Sequence, residues 1–323
     1  MTYCRTSKQK YNNNILIFIT LIYYNSCKLK ISRHIVFAQK HNKNADLEKY
    51  YQDRFQNEFD YLATVIDDDK FHDARLFECN ELCRYGDIRP YEDNYVQINS
   101  GHKFINASWI HIPTAYYFIA TQGPLQTTIE DFFIMCKEYD VQLIIMLCNV
   151  EEDGKEKCAK YWDVKGLKYF DIGKRTETTS IDEGLFLRKL KIRDLRDKQY
   201  IGKDIDQIQF ICWDDHDGLT YEYFDKIIKM INLLDQYKKD KPDSPIVIHC
   251  SAGVGRTGTF IGMYNLYHEI LEQILDKKVL EIKFSIMNLV RKIKEMRMYS
   301  VENEYQYNAL YLFANYLLFK YNG

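Results

Sequence analysis

One stretch constrains this chain more than any other: Ser244-Pro245-Ile246-Val247-Ile248-His249-Cys250-Ser251-Ala252-Gly253-Val254-Gly255-Arg256-Thr257-Gly258-Thr259-Phe260. Pro245 to Ile248 is a short apolar run of the kind a buried strand uses. A glycine-punctuated turn comes next. Apolar residues then recur at Phe260, Met263, Tyr264, Tyr267, Ile270, Leu271 and Ile274, the spacing of one helical face. A strand that runs through such a turn into a helix aims successive loop N–H groups and the helix N-terminus at one spot. That makes an anion cradle.

Cys250 opens the cradle, where converging amides and the positive helix end favour thiolate over thiol. Arg256 closes it with a planar fork able to grip two oxygens of one phosphate. Thr257 is placed to donate its hydroxyl to the sulfur. A nucleophile and a phosphate clamp in one loop imply attack on phosphorus through a covalent cysteinyl-phosphate. The nucleotide-binding P-loop is excluded, because it ends in Gly-Lys-Ser/Thr where this chain has Arg256-Thr257, and Cys250 would have no role in it.

The run from His249 to Phe260 resembles the active-site loop of the tyrosine-specific protein phosphatases. The resemblance implies an α/β fold in which a central mixed, twisted sheet carries helices on both faces. It implies that the amides of Ser251, Ala252, Gly253, Val254 and Gly255 hold the phosphate oxygens, with His249 supporting the loop. It implies no metal or other cofactor, since the loop supplies the positive field that metals give other phosphatases. The expected partners are phosphotyrosine-containing proteins, and the expected state is a monomer.

Composition agrees with such a protein. The 46 acidic and 44 basic residues leave a net charge of −2, and nothing there suggests a nucleic-acid binder. Nine cysteines are scattered without paired spacing, and no Cys-x2-Cys or His-rich cluster suggests zinc. A reduced, cytoplasmic setting fits a thiolate nucleophile.

The first 44 residues differ from the rest. Ile15 to Tyr24 is an apolar run flanked by Arg5, Lys8 and Lys10 and by Lys28, Lys30 and Arg33. It is too short for a bilayer, which takes about 20 residues, and it lacks a small-residue cleavage site. We read residues 1–44 as a tail or an additional packing helix, in preference to membrane contact through residues 15–24. The catalytic domain is read as 45–323, opening with an amphipathic helix that carries Phe55, Phe59 and Leu62 on one side.

Further blocks extend the resemblance. Cys83-Arg84-Tyr85-Gly86-Asp87 is a polar loop similar to the family's phosphotyrosine-recognition loop. Tyr85 would stack on the substrate ring, and Asp87 would accept hydrogen bonds from the peptide backbone. Cys83 replaces a usual Asn and Tyr95 stands where Arg is common, changes expected to loosen the loop. Lys103 to Ile110 alternates as a strand does, and Thr127 with Glu130 has capping-box spacing. Val141 to Cys148 is a continuous apolar run, as in a strand buried on both faces. Residues 151–162 are charged and would ordinarily be a solvated loop; by the resemblance Glu152 orients Arg256 and Lys157 contacts the acid-bearing loop.

Leu185 to Ile192 and Ile205 to Ile211 alternate, the period of half-exposed strands. The second leads into Trp213-Asp214-Asp215-His216-Asp217-Gly218, where the family has Trp-Pro-Asp. Asp215 therefore aligns with the general acid that protonates the leaving phenol. Asp214, in place of proline, is expected to favour the protonated form of Asp215 and to leave loop closure less defined. A helix over 221–238 is read as packing, and 286–321 as helix, loop, helix.

The family also has a Gln-Thr-x-x-Gln run, whose first Gln positions the water that cleaves the phosphocysteine. We align it with Ser300-Val301-Glu302-Asn303-Glu304, so that neither glutamine is present. Ser300 is then left to hold the water, and Glu304 brings charge near the anionic intermediate. Those departures keep a second reading open, a phosphotyrosine-binding pseudophosphatase with slow turnover. A dual-specificity or phosphoinositide phosphatase fits less well, and a redox role for Cys250 is compatible with catalysis.

Overall fold

Leu143–Met146 carries four apolar side chains in a row, and all four are fully buried. A strand of this kind belongs inside a sheet covered on both sides. The computed structural model describes residues 30–31, 45–65, 80–112, 116–174, 178–197, 199, 202–276 and 281–322. Its elements run α1 (Ala45–Ala63), β1 (Ala107–His111), β2 (Tyr117–Thr121), α2 (Ile129–Glu138), β3 (Leu143–Met146), β4 (Phe170–Lys174), β5 (Thr179–Asp182), β6 (Leu185–Asp194) and β7 (Lys203–Phe210). They continue with α3 (Tyr221–Asp240), β8 (Ile246–His249), α4 (Gly255–Leu275), α5 (Ile286–Met296) and α6 (Glu304–Asn322).

The sheet is twisted and mixed, in the order β1-β2-β8-β3-β7-β6-β4, with β5 paired to β6. Its centre, β2-β8-β3-β7, is parallel, and β1, β6, β4 and β5 join antiparallel. Strand periodicity explains the helices on both faces. In the register Ile246 pairs Phe118. Phe118 meets Tyr264 of α4 edge-on, 5.2 Å between centroids, so this parity faces α4. His249 has the opposite parity, and its ring lies 6.1 Å from Phe132 of α2. On the first face α4 packs against α5 and α6, and α1 and α3 pack onto those. Each buried side chain of this kind contributes about 2 kcal/mol relative to exposure. β8 is thus central, and the loop that leaves its C-terminal end is held from both sides.

Three expectations are corrected here. Lys103 to Ile110 is not all strand: pairing starts at Ala107, and Lys103 takes a φ of +53° in the preceding turn. β7 is not half-exposed. Gln207 and Gln209, the polar half of its alternation, are buried and spend their amides on the Tyr161 hydroxyl and the Cys148 carbonyl. The Thr127/Glu130 capping box does not form either. A short 3-10 turn, Gln126–Thr128, precedes α2, Thr128 Oγ accepts from the Leu125 N–H, and Glu130 accepts from the Tyr169 N–H.

Of residues 1–44 only Lys30–Ile31 is described, as a strand parallel to Glu281–Ile282. The apolar run Ile15 to Tyr24 lies outside the described residues. Among the described residues no helix is long and apolar enough to cross a membrane.

Candidate active site

β8 ends at His249, Cys250 is the next residue, and α4 begins at Gly255. The turn between them demands a glycine at one place. Gly253 has φ +74°, and a Cβ there would sit 2.1 Å from the Thr121 carbonyl oxygen. Cys250 is 3% exposed at the bottom of the loop. Its Sγ accepts from the Gly253 N–H at 3.3 Å and from the Thr257 hydroxyl at 3.2 Å, two donors of the kind that hold a negative sulfur.

A loop that turns its N–H groups inward turns its carbonyls outward, and these need donors of their own. Arg297 supplies them. Its Nε donates to Gly253 O at 2.7 Å and its Nη2 to Ala252 O at 3.2 Å. Asn106 Oδ1 and Ser108 Oγ, at 2.9 and 3.0 Å, complete its set. Burial lowers the Arg297 guanidinium to about 10, although the nearby Cys250 and Cys83 oppose that. Nothing in the sequence marked Arg297, because its partners come from β1 and from the loop itself.

His249 supports the loop from the other face. Gln207 donates to the Tyr161 hydroxyl at 2.6 Å, which leaves that hydroxyl to donate to His249 Nε2 at 2.9 Å. Nδ1 then carries the proton and donates to Cys250 O at 3.1 Å. Burial pushes His249 down to about 4; the Cys250 carbonyl opposes this and the charges of Arg84 and Arg256 add to it. An unfolded histidine takes its proton near 6.5 and this one only near 4, so the stability it contributes is complete above pH 6.5 and is lost as pH falls. We expect the urea unfolding free energy to drop by about 3 kcal/mol more in the wild type than in His249→Gln between pH 7 and pH 4. Equal losses in the two proteins would show that the buried imidazole is not neutral.

Arg256 is 2% exposed and fully committed. It grips Glu152 in bidentate fashion, at 2.8 and 3.0 Å, and also donates to Trp213 O and to Asp215 Oδ1, each at 2.9 Å. Burial opposes its charge, but the bond to Glu152, helped by Cys250 and Cys148, outweighs burial and raises its pKa. Lys157 donates to the other oxygen of Asp215. The structure thus brings Glu152, Lys157 and Asp215 to Arg256.

The state of Asp215 differs from expectation. Burial raises its carboxyl, but the Lys157 hydrogen bond and the charges of Arg256, Lys157 and His216 prevail, and the net shift is downward. Asp214, expected to push the other way, is exposed and is not among the leading influences on this balance.

Tyr85 reaches the loop, its hydroxyl 2.9 Å from Ser251 Oγ, while Asp87 is exposed at the rim. The recognition loop is not loosened by Cys83. That thiol is buried, accepting from Arg89 at 3.2 Å and Asn106 at 3.4 Å. Beside it, Arg84 anchors the loop to Gln122, Gly123 and Pro124.

The expected places of Ser300 and Glu304 are corrected by two residues. The chain turns sharply at Tyr299 and Val301, both with φ +56°. Ser300 is thereby buried against α4, where a Cβ on Gly258 would lie 2.9 Å from its own Cβ, and its hydroxyl donates to Arg297 O. Glu304 begins α6 and accepts from Gln56, away from the loop. Glu302 and Gln306 stand at the cradle instead: a Cβ on Gly255 would be 2.8 Å from Glu302 Oε2 and from Gln306 Nε2. A glutamine, Gln306, therefore stands at the cradle beside Glu302. Desolvation raises the Glu302 carboxyl; His216 opposes this, Asp215 adds to it, and Arg256 and Lys294 oppose it. Among the described residues no group of three His, Cys, Asp or Glu side chains is placed to hold a metal ion.

A nucleophile at the foot of an amide-lined loop, a guanidinium at its rim and a carboxyl held across from both define a cysteine-dependent phosphate-transfer site. The protein-tyrosine phosphatase family model matches residues 80–316, and the chain belongs to that family. It is 32% identical over 265 residues to tyrosine-protein phosphatase non-receptor type 20 of Rattus norvegicus, a match covering 79% of this chain and 58% of that protein. The chain thus spans little more than half the length of that relative. Its fold is similar to the catalytic domain of human protein tyrosine phosphatase non-receptor type 18, with TM-score 0.67, 27% identity, and 84% and 96% of the two chains covered. A structure of PTPN18 with HER2 phosphopeptides matches with TM-score 0.68 at 25% identity, covering 88% of this chain and 97% of that one.

Proposed function

We propose that the chain hydrolyses phosphotyrosyl esters in proteins through a cysteinyl-phosphate on Cys250. One observation carries the reading: the Cys250 sulfur, the Arg256 fork and the Asp215 carboxyl belong to one hydrogen-bonded site, with Arg256 Nη2 2.9 Å from Asp215 Oδ1. The ester dianion enters the cradle and competes with Asp215 for Arg256. Its two negative charges offset the field of Lys157 and Arg256, so Asp215 takes up a proton as substrate binds. The thiolate attacks phosphorus, the P–O bond to the phenol breaks, and Asp215 gives its proton to the leaving oxygen. Water then attacks phosphorus, Asp215 takes its proton, the S–P bond breaks and the thiolate is restored. Ser251 to Gly255 supply the N–H groups around the equatorial oxygens, and Glu152 keeps the fork in plane.

Specificity for an aryl ester comes from depth. A sulfur 3% exposed beneath Tyr85 is reached by a long, flat phosphotyrosine and not by a short phosphoserine. PTPN18 has been solved with HER2 phosphopeptides, and substrates of the same chemical kind are proposed here. We place the protein in a reducing, cytoplasmic compartment as a monomer, because a thiolate nucleophile has to stay reduced. Nucleophile, clamp and acid are all present, which favours turnover over the binder reading. Paired phosphopeptides test the proposal. Phosphate release from the phosphotyrosyl peptide should exceed that from the phosphoseryl peptide by about 100-fold or more, and vanadate should shield Cys250 from iodoacetate. Equal rates on the two peptides would sink the aryl preference.

A further inference from the structure

The loop that carries Asp215 is fastened to residues 302–305 by contacts that phosphate binding does not require. His216 places Nε2 3.6 Å from Asp215 Oδ2 and Nδ1 3.8 Å from Glu302 Oε2. Its carbonyl accepts from Asn303 Nδ2 at 2.9 Å. Its φ of +60° lies in the left-handed region, which a residue other than glycine keeps only where its surroundings enforce it. Two residues on, Gly218 sits so close to the start of α6 that a Cβ would lie 2.2 Å from Tyr305 O. Burial does not explain the position of the imidazole, because its side chain is 67% exposed. What it faces is the two carboxylates.

We propose that His216, with Glu302 and Asn303, forms a clasp that holds Asp215 over the phosphate cradle. The inference rests on the phosphatase reading above. His216 is a positioning residue that acts through Asp215. A general acid must stay within hydrogen-bond reach of the oxygen it protonates, and residues 213–220 contain no proline to stiffen the backbone. The imidazole's contacts with both carboxylates, with the Asn303 bond to the His216 carbonyl, tie the loop to a segment that the Arg297 turn already fixes. Lys157 and Arg256 hold the Asp215 carboxylate itself, and the clasp adds a tie from the next residue of the loop.

Two aryl phosphates separate positioning of the acid from general damage. Phenyl phosphate needs its leaving oxygen protonated, whereas 2,4-dinitrophenyl phosphate does not. Asparagine tolerates the left-handed backbone, so His216→Asn removes the imidazole without forcing the loop. We expect His216→Asn to lower kcat/KM on phenyl phosphate about 10-fold and to leave kcat/KM on dinitrophenyl phosphate within about 2-fold. Asn303→Ala, which removes the donor to the His216 carbonyl, should lose the same step selectively, and the double variant should lose no more than the worse single one. In the Asp215→Ala background His216→Asn should cost nothing further. Retained dinitrophenyl turnover shows that each variant is folded. Equal losses on both esters, no loss on either, or a further loss without Asp215 would each overturn the clasp. Should the wild type hydrolyse neither ester in a Cys250-dependent way, the phosphatase reading itself fails and the clasp falls with it. If the wild type turns over and His216→Asn matches it, only the clasp is lost.

Discussion

Cys250→Ser should abolish nitrophenol release from para-nitrophenyl phosphate, with a loss on the order of 10⁴- to 10⁶-fold. In the proposed mechanism the Cys250 sulfur is the nucleophile of the first step, and it accepts from Gly253 N–H and the Thr257 hydroxyl in a buried site. A serine hydroxyl there is a weaker nucleophile and would stay protonated, since no base lies beside it. His249 cannot serve: its Nδ1 is committed to the Cys250 carbonyl and its Nε2 to Tyr161. The N–H groups of the loop and the Arg256 fork are untouched, so the variant should still bind vanadate and phosphotyrosyl peptide. Loss of turnover with retained binding is the expected pair of results. Turnover within 10-fold of wild type would remove Cys250 from the chemistry.

The second large effect is at Asp215. Asp215→Ala should reduce kcat/KM on phenyl phosphate by about 10²- to 10⁴-fold while leaving kcat/KM on dinitrophenyl phosphate much less affected. The carboxyl has two duties that must be separated. It bridges Lys157 and Arg256, and in the proposed mechanism it is the proton source. Removing it leaves Lys157 without that partner, at a cost of about 1–3 kcal/mol that would appear in the urea midpoint. Asp215→Asn keeps an acceptor for Lys157 but has no proton to give, so it should be nearly as slow as Asp215→Ala on phenyl phosphate. Recovery of the rate in the asparagine variant would assign Asp215 a structural role only. In the proposed mechanism the downward shift of Asp215 means that the carboxyl takes up its proton only once the ester's charge is present.

The roles of neighbouring residues were legible to different degrees, for physical reasons. Glu152 and Lys157 lie in a charged hairpin that charge pattern alone would leave in water; a resemblance of motif, and not residue type, pointed to them. Ser300 and Glu304 were misplaced by two positions because helix starts are weakly marked in sequence. The turn at Tyr299 and Val301 uses left-handed backbone without glycine, which leaves no local signal. The state of Asp215 was misjudged because Asp214 is its neighbour in sequence, whereas Lys157 is its neighbour in space. Gln207 and Gln209 read as the exposed half of an alternating strand, yet a strand between two covered faces buries both halves and must satisfy its amides inside.

By itself the sequence determined the strand, turn and helix around Cys250, because seven consecutive residues set the direction of their own N–H groups and their own glycine conformations. The thiol and the guanidinium of the proposed site are therefore placed locally. Only the tertiary structure decided what holds that loop and aims the acid at it: Arg297 on its carbonyls, Tyr161 and Gln207 behind His249, and Glu302 with His216 across from Asp215. A carbonyl turned outward accepts from whichever donor the packing of distant elements brings within 3 Å, and residues 191 positions apart, such as Asn106 and Arg297, meet only after the sheet has formed.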